Sequence, residues 1–94
     1  MAIRSFKDGR LAALFNRDVP KGFPSDLVIV TRRKLAMLDA ARVLDDLRVP
    51  PANRLETLKG DRSGQHSIRV NDQFRLCFRW TLDGPADVEF TDYH

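Results

Sequence analysis

Hydrophobic positions change their spacing about halfway along this chain. In the first half, apolar residues recur every three or four positions, most clearly from Leu35 to Leu44, which is the spacing of one face of an α-helix. In the second half, apolar and polar residues alternate, most clearly from Phe74 to Trp80, which is the pattern of a half-buried strand. Helices followed by strands predict an α+β fold, with two N-terminal helices packed on one face of a mainly antiparallel sheet.

Both predicted helices have recognisable ends. The carboxylate of Asp8 can cap the first helix, which runs to about Arg17. The second helix begins near Pro24 or Ser25, since proline suits the first turn and serine suits the N-cap. It cannot pass the Pro50–Pro51 pair, because an interior proline removes a backbone hydrogen bond.

Several short segments are candidate strands, and the most regular of them is one arm of a hairpin. In this segment the apolar side chains point one way, while Arg75, Cys77 and Arg79 point the other, away from the helices. A turn at Asn71–Gln73 connects it to the preceding strand. The candidate strands are Ala2–Phe6, Arg54–Leu58, His66–Val70, Phe74–Trp80 and a last strand from Ala86 to Thr91.

Composition narrows the class of protein. With 94 residues, the chain is expected to form a single domain, 1–94. Sixteen basic residues against 13 acidic ones give a net charge of +3, which permits a polyanionic partner without requiring one. The single cysteine, Cys77, excludes an intramolecular disulfide and fits a reducing compartment. There is no signal-peptide pattern and no run of about 18 apolar residues, so we expect a cytoplasmic protein without membrane attachment.

The arginine-bearing side of the predicted sheet is a candidate phosphate-binding surface. Arg75 and Arg79 lie four residues apart, about 13 Å along a strand. A guanidinium can form two parallel bonds to phosphate oxygens. As an alternative, the two arginines pair with Asp87 and Glu89 on the neighbouring strand. Three further basic residues could extend the surface: Lys59, Arg62 and Arg69.

The C-terminal Asp92-Tyr93-His94 is a second candidate for chemistry. Histidine titrates near neutral pH and can move a proton in either direction, while a tyrosine can stack on a base. The alternative is an unstructured tail. The other histidine, His66, shares its face with apolar residues and is predicted at the edge of the core. No metal site and no cofactor are predicted, because two histidines without suitably spaced carboxylates do not form a typical ligand set.

Several segments together resemble the HigB branch of the RelE/ParE toxin superfamily, the plasmid-maintenance killer proteins. The segments are Ile3–Lys7, Leu35–Ala41, Leu58–Arg62, Ile68–Trp80 and Asp92–His94, which are spread over nearly the whole chain. The resemblance implies a RelE-like fold with a curved sheet and a toxin of a type II toxin–antitoxin pair. It also implies metal-independent cleavage of mRNA in the ribosomal A site. The implied partners are a HigA-type helix-turn-helix antitoxin, the ribosome with its mRNA, and operator DNA bound by the toxin–antitoxin complex.

The resemblance also implies roles for particular residues. Lys59 matches a lysine that contacts phosphate, and Arg75 matches an arginine placed against the scissile phosphate. The triplet 92–94 matches the terminal triplet tied to activity. Some HigB toxins carry a histidine three residues before the lysine, where this chain has Glu56. That difference leaves the acid and base assignments open.

Two other functions remain open from the sequence. ParE relatives share the superfamily fold but inhibit DNA gyrase without cutting RNA. A decayed toxin would bind only antitoxin and operator DNA. Lys59, Tyr93 and His94 favour the nuclease, because a gyrase inhibitor needs no catalytic set.

Overall fold

The computed structural model describes residues 3–92, and over this range it contains two α-helices and one four-stranded sheet. Each strand pairs with the next in an antiparallel arrangement, in the order β1-β2-β3-β4. This confirms the predicted α+β architecture. No helix within residues 3–92 has the length and apolar character needed to span a membrane. The elements are α1 (Gly9–Phe15), α2 (Val28–Ala40), β1 (Glu56–Thr57), β2 (Gln65–Arg69), β3 (Phe74–Thr81) and β4 (Gly84–Asp92).

Helix α1 begins as the sequence predicts and ends two residues early. The Asp8 carboxylate accepts a hydrogen bond from the backbone N–H of Arg10 at 3.0 Å, as expected of an N-cap. The helix ends at Phe15, and Arg17 adopts a left-handed conformation with a φ of 71°. That conformation is typical just after a helix and explains why Arg17 lies outside it.

The prediction of one helix continuing towards Pro50 is wrong. Helix α2 ends at Ala40, because the Asp46 carboxylate accepts hydrogen bonds from the backbone N–H groups of Arg42 and Val43 at 2.9 and 3.2 Å. These two N–H groups would otherwise bond to carbonyls of the preceding helical turn. Three short 3₁₀-helices flank α2 and precede β1: Ser25–Leu27, Leu44–Arg48 and Pro51–Asn53.

Both ends of the predicted sheet are less regular than expected. The candidate strand before α1 forms a single parallel bridge between Phe6 and Val88, supported by the Arg4 N–H, which donates to the Pro85 carbonyl at 2.8 Å. The predicted strand Arg54–Leu58 is shorter in the structure, where it comprises only Glu56–Thr57. Its first residue, Arg54, has a left-handed backbone with a φ of 45°, which cannot continue a strand.

The core lies between the helices and one face of the sheet. Leu11, Leu14, Leu35 and Leu38 from the helices pack into one cluster with the apolar side chains of β2, β3 and β4. The even positions of β3 belong to this face, as the alternation predicts. The strand residues of the cluster are Ile68, Leu76, Phe78, Val88 and Phe90, with Phe74 and Trp80 packed against it.

Candidate functional site

A polar face lies on the side of the sheet opposite the core. In the antiparallel register, Arg75 of β3 lies between Arg69 and Thr91, and Cys77 lies between Ser67 and Glu89. Side chains at paired positions project from the same face. The polar face, defined in this way, consists of Glu56, Gln65, Ser67, Arg69, Arg75, Cys77, Arg79, Glu89 and Thr91.

Arg75 is buried in this face, whereas the sequence predicts it in an open patch. Only 6% of the residue is exposed. Its Nε donates a hydrogen bond to Ser67 Oγ at 2.8 Å, and its Nη2 donates to the Arg54 carbonyl oxygen at 2.6 Å. Its Nη1 lies 3.8 Å from Glu56 Oε1. The guanidinium is therefore bound by the strand beside it and by the segment that leads into β1.

The turn that presents the Arg54 carbonyl is anchored in the interior. Asn53 is fully buried and donates from Nδ2 to the Leu47 carbonyl at 3.1 Å. Its Oδ1 accepts a hydrogen bond from the ammonium of Lys34 on α2. Arg54 follows directly with its left-handed backbone, which turns the chain towards Arg75. Helix α2 is thus connected to the polar face through one buried amide side chain.

The other three arginines predicted to bind phosphate are each paired with a carboxylate. The sequence left open whether the β3 arginines pair with Asp87 and Glu89; Arg79 does pair with Asp87, whereas Glu89 binds Arg62. Arg62 also donates to Gln65 Oε1 at 3.1 Å. The three pairs are Arg62 with Glu89 at 2.9 Å, Arg79 with Asp87 at 3.6 Å, and Arg69 with Asp72.

Lys59 and Asp92 lie at opposite edges of the sheet. Lys59 is exposed in the link between β1 and β2, and it forms no ion pair with any residue from 3 to 92. Asp92 ends β4, where the register places it opposite Phe74 and its carboxylate accepts from Gln73 Nε2 at 3.1 Å. The predicted catalytic residues Tyr93 and His94 lie outside the described residues. Their roles, like those of Lys59 and Asp92, stay predictions.

His66 projects from the core side of β2, at its edge. Its Nδ1 is 3.1 Å from Thr57 Oγ1, and its ring centroid is 6.1 Å from that of Phe78. These contacts agree with the predicted position at the edge of the core. They also place His66 on the face opposite Arg75.

Burial and ion pairing shift the pKa values of groups around the sheet. The hydrogen bond to Glu89 raises the pKa of Arg62, against the opposing effect of burial. Burial lowers the pKa of His66 and favours its neutral imidazole. Burial also lowers the pKa of Lys34, and neighbouring arginines reinforce that shift.

Two residues beside Arg75 were not assigned to the site from the sequence. Alternation along β2 places Ser67 on the polar face, but only the cross-strand register shows that its hydroxyl meets Arg75 Nε. Glu56, where some HigB toxins carry a histidine, has its carboxylate beside the same guanidinium. A small polar residue, Ser67, at a polar-face position of a hairpin strand is the one available signal in the sequence.

The arrangement suits binding and neutralising an anion. A buried cation whose orientation is already fixed by hydrogen bonds to a hydroxyl and a carbonyl can stabilise negative charge without first having to be ordered, and the nearby Glu56 carboxylate lies farther away, at 3.8 Å. Among residues 3–92 there is no group of three or more histidine, cysteine or acidic side chains that could hold a metal ion.

Comparison with known proteins places the chain in a family. A family model described as a RelE-like toxin of the type II toxin–antitoxin system HigB matches residues 4–94. Toxin HigB-1 of Vibrio cholerae is 44% identical over 90 residues, which cover 95% of this chain and 94% of that protein. Endoribonuclease HigB of Proteus vulgaris is 33% identical over 92 residues, covering 98% and 99%.

The fold is similar to that of a solved structure. The YoeB-YefM complex from Staphylococcus aureus matches with a TM-score of 0.62 at 18% sequence identity, covering 100% of this chain and 97% of that chain. At this identity the match supports the fold alone. The family match and the two relatives carry the assignment further: the chain belongs to the HigB-like family of RelE-like toxins of type II toxin–antitoxin systems.

Proposed function

We propose that this protein is a metal-independent endoribonuclease that cuts mRNA in the ribosomal A site. The observation that carries the proposal is the buried Arg75, whose guanidinium is fixed by two hydrogen bonds on the polar face. The name of the Proteus relative, an endoribonuclease, supports the same reaction class. Electrostatic stabilisation by a preorganised cation is a large contribution to catalysis of phosphoryl transfer.

The reaction needs no bond between enzyme and RNA. The 2′-oxygen attacks the adjacent phosphorus while the bond from phosphorus to the 5′-oxygen breaks, giving a 2′,3′-cyclic phosphate and a free 5′-hydroxyl. One group accepts the proton of the 2′-hydroxyl, and another donates a proton to the leaving oxygen. Negative charge grows on the phosphate oxygens in between. Arg75 and Lys59 neutralise that charge.

The remaining predicted residues complete the proposed mechanism. His94 moves a proton, as base for the 2′-hydroxyl or as acid for the leaving oxygen. Tyr93 stacks on or positions a base, and Asp92 orients its neighbours. Three paired arginines of the polar face and its border contact the RNA backbone: Arg62, Arg69 and Arg79. Their carboxylate partners keep these side chains near the sheet until the RNA binds.

The proposed partners follow from the family and its reaction. The ribosome supplies the mRNA, which places the protein in the cytoplasm. A HigA-type helix-turn-helix antitoxin neutralises the toxin, and the complex binds operator DNA.

A cleft between α1 and α2 suits an acidic segment of that antitoxin. It is lined by three apolar residues, Leu14, Phe15 and Ala36, and by three arginines. These arginines form no ion pair with residues of the described range. We expect Arg33→Glu to weaken antitoxin binding while mRNA cleavage is retained, as measured by calorimetry and by cleavage in a translating extract. The three arginines of the cleft are Arg17, Arg32 and Arg33.

Mapping of RNA ends in a translating extract tests the proposed reaction. The wild-type protein should generate cuts within codons that end in a cyclic phosphate or its opened 3′-phosphate. Arg75→Ala should cut about a hundredfold more slowly, and a chain lacking His94 should also be impaired. Equal cutting by all three proteins would remove these residues from the mechanism.

The gyrase-inhibitor alternative gives a different result in cells. Induction of such a protein would cause DNA damage and an SOS response without loss of mRNA at codons. A decayed toxin would not arrest growth when it is induced without its antitoxin. Growth arrest with codon-positioned mRNA loss supports the nuclease and excludes both alternatives.

A further inference from the structure

The guanidinium of Arg75 is oriented by two groups that are not among the site residues predicted from the sequence. Its Nε donates to the hydroxyl of Ser67 on β2, and its Nη2 donates to the backbone carbonyl of Arg54. The two acceptors come from different segments of the chain. Two bonds to different nitrogens define the plane of a guanidinium; the ion pair of Nη1 with Glu56 Oε1, at 3.8 Å, is longer and less directional.

We propose that Ser67 is a positioning residue, whose hydroxyl, acting with the Arg54 carbonyl, sets the plane of the Arg75 guanidinium against the scissile phosphate. The inference rests on the proposed ribonuclease reaction. It goes beyond that proposal because it names the hydroxyl of Ser67 as the group that orients Arg75.

Burial makes the hydroxyl of Ser67 decisive for this orientation. Ser67 is fully buried and Arg75 is 6% exposed, so water cannot readily replace a lost acceptor at Nε. Nε is the guanidinium nitrogen attached to the side-chain carbons, and its bond direction follows the plane of the whole group. Loss of the hydroxyl therefore changes the orientation of the guanidinium but not its positive charge. An orientational effect of this kind lowers the rate of the chemical step rather than the affinity for RNA.

Ser67→Ala and Thr31→Val form a matched pair of hydroxyl deletions. Thr31 lies on α2, outside the polar face, and its buried hydroxyl has no hydrogen-bond partner among the described residues. Single-turnover cleavage of ribosome-bound mRNA is measured over a range of toxin concentrations. Ser67→Ala should lower the maximal rate about tenfold or more, with the half-saturating concentration changed less than twofold. Thr31→Val should change both quantities less than twofold.

The same deletion in an altered Arg75 background separates positioning from a purely structural effect. Arg75→Lys keeps the charge and removes Nε, so the hydroxyl of Ser67 no longer has its guanidinium donor. Ser67→Ala should then lower the rate of the Arg75→Lys protein less than twofold. A further tenfold loss in that background would overturn the proposal, because the two residues would then act independently.

Thermal unfolding of each variant shows whether it is folded, and a second substitution of Ser67 serves as a further test. Ser67→Cys offers Arg75 only a weak sulfur acceptor and should lower the maximal rate even if Ser67→Ala fails to fold. If Arg75→Ala cleaves at the wild-type rate, the proposed role of Arg75 fails, whatever Ser67 does. If Arg75→Ala is impaired while folded Ser67→Ala and Ser67→Cys both cleave normally, only the positioning role fails.

Discussion

The two faces of the sheet are both buried in the first half of β3, from Arg75 to Phe78, but by different interactions. On the core face, Leu76 and Phe78 are fully buried among apolar side chains from the helices and neighbouring strands. On the polar face, Arg75 and Cys77 are buried as well, yet the contacts of Arg75 are hydrogen bonds to a hydroxyl and a carbonyl and an ion pair with Glu56. One strand thus contributes alternately to stability and to the candidate site. Burial alone does not tell the two apart; the chemistry of the contacts does.

The largest effect on stability is expected on the core face. Phe78→Ala should lower the free energy of unfolding by about 3–5 kcal/mol, because it removes a fully buried ring and leaves a cavity. Urea unfolding followed by circular dichroism measures this. Leu82→Ala is the matched control, since Leu82 is fully exposed and its loss should change stability by less than about 0.5 kcal/mol. Similar losses for the two variants would contradict the assignment of the core.

The largest effect on activity is expected on the polar face. Arg75→Ala should lower the cleavage rate about a hundredfold, which corresponds to about 2.7 kcal/mol of transition-state stabilisation. Arg79→Ala should mainly raise the half-saturating concentration, because Arg79 is exposed and paired only at 3.6 Å with Asp87. Single-turnover kinetics on ribosomes distinguish the two effects. If Arg79→Ala were the more damaging to the maximal rate, the chemistry would lie at the exposed end of β3 rather than at its buried arginine.

The sequence predicted the core face far better than the polar face. Alternation from Phe74 to Trp80 identified the buried apolar positions, because period-two patterning depends only on neighbours along the chain. The burial of Arg75 depends on Ser67 and Arg54, which lie eight and 21 residues away in sequence. The cross-strand register brings Ser67 to Arg75, and the left-handed backbone of Arg54 brings its carbonyl there. Neither can be predicted from neighbouring residues, since Arg54 is not a glycine.

The ends of the helices also show how far a local sequence pattern can predict the structure. The N-cap at Asp8 was predictable, since the residue and its acceptor role are local. The end of α2 at Ala40 was not, because the leucine rhythm continues to Leu44. The competing interaction is the carboxylate of Asp46, which bonds to N–H groups three and four residues before it and begins a separate turn. Periodicity indicates which residues are buried, but not which hydrogen bonds interrupt a helix.

An intermediate effect is expected where the two faces are connected. Asn53→Ala should lower the free energy of unfolding by about 2 kcal/mol, because it leaves the buried Lys34 ammonium and the Leu47 carbonyl without their partner. Replacing Lys34 with methionine in the same protein should recover part of that loss, since the unsatisfied charge is then removed. Chemical unfolding of the two single variants and the double variant gives the coupling energy. Purely additive losses would show that the contact does not stabilise the turn before Arg54.

The smallest effect is expected at the margin of the core face, where His66 meets Thr57 and the ring of Phe78. Burial lowers the pKa of His66 from its ordinary value of 6.5, so the unfolded chain binds this proton more readily than the folded protein. The contribution of neutral His66 should therefore be constant above that value and should decrease as the pH falls through and below it. His66→Gln removes the titrating ring, while all other groups titrate in both proteins and cancel in the difference. Urea unfolding of wild type and variant should give curves of stability against pH that run parallel between pH 7.5 and 8.5 and converge towards pH 5. Parallel curves over the whole range would place His66 in water in the folded state and would move the boundary of the core face inward to Phe78.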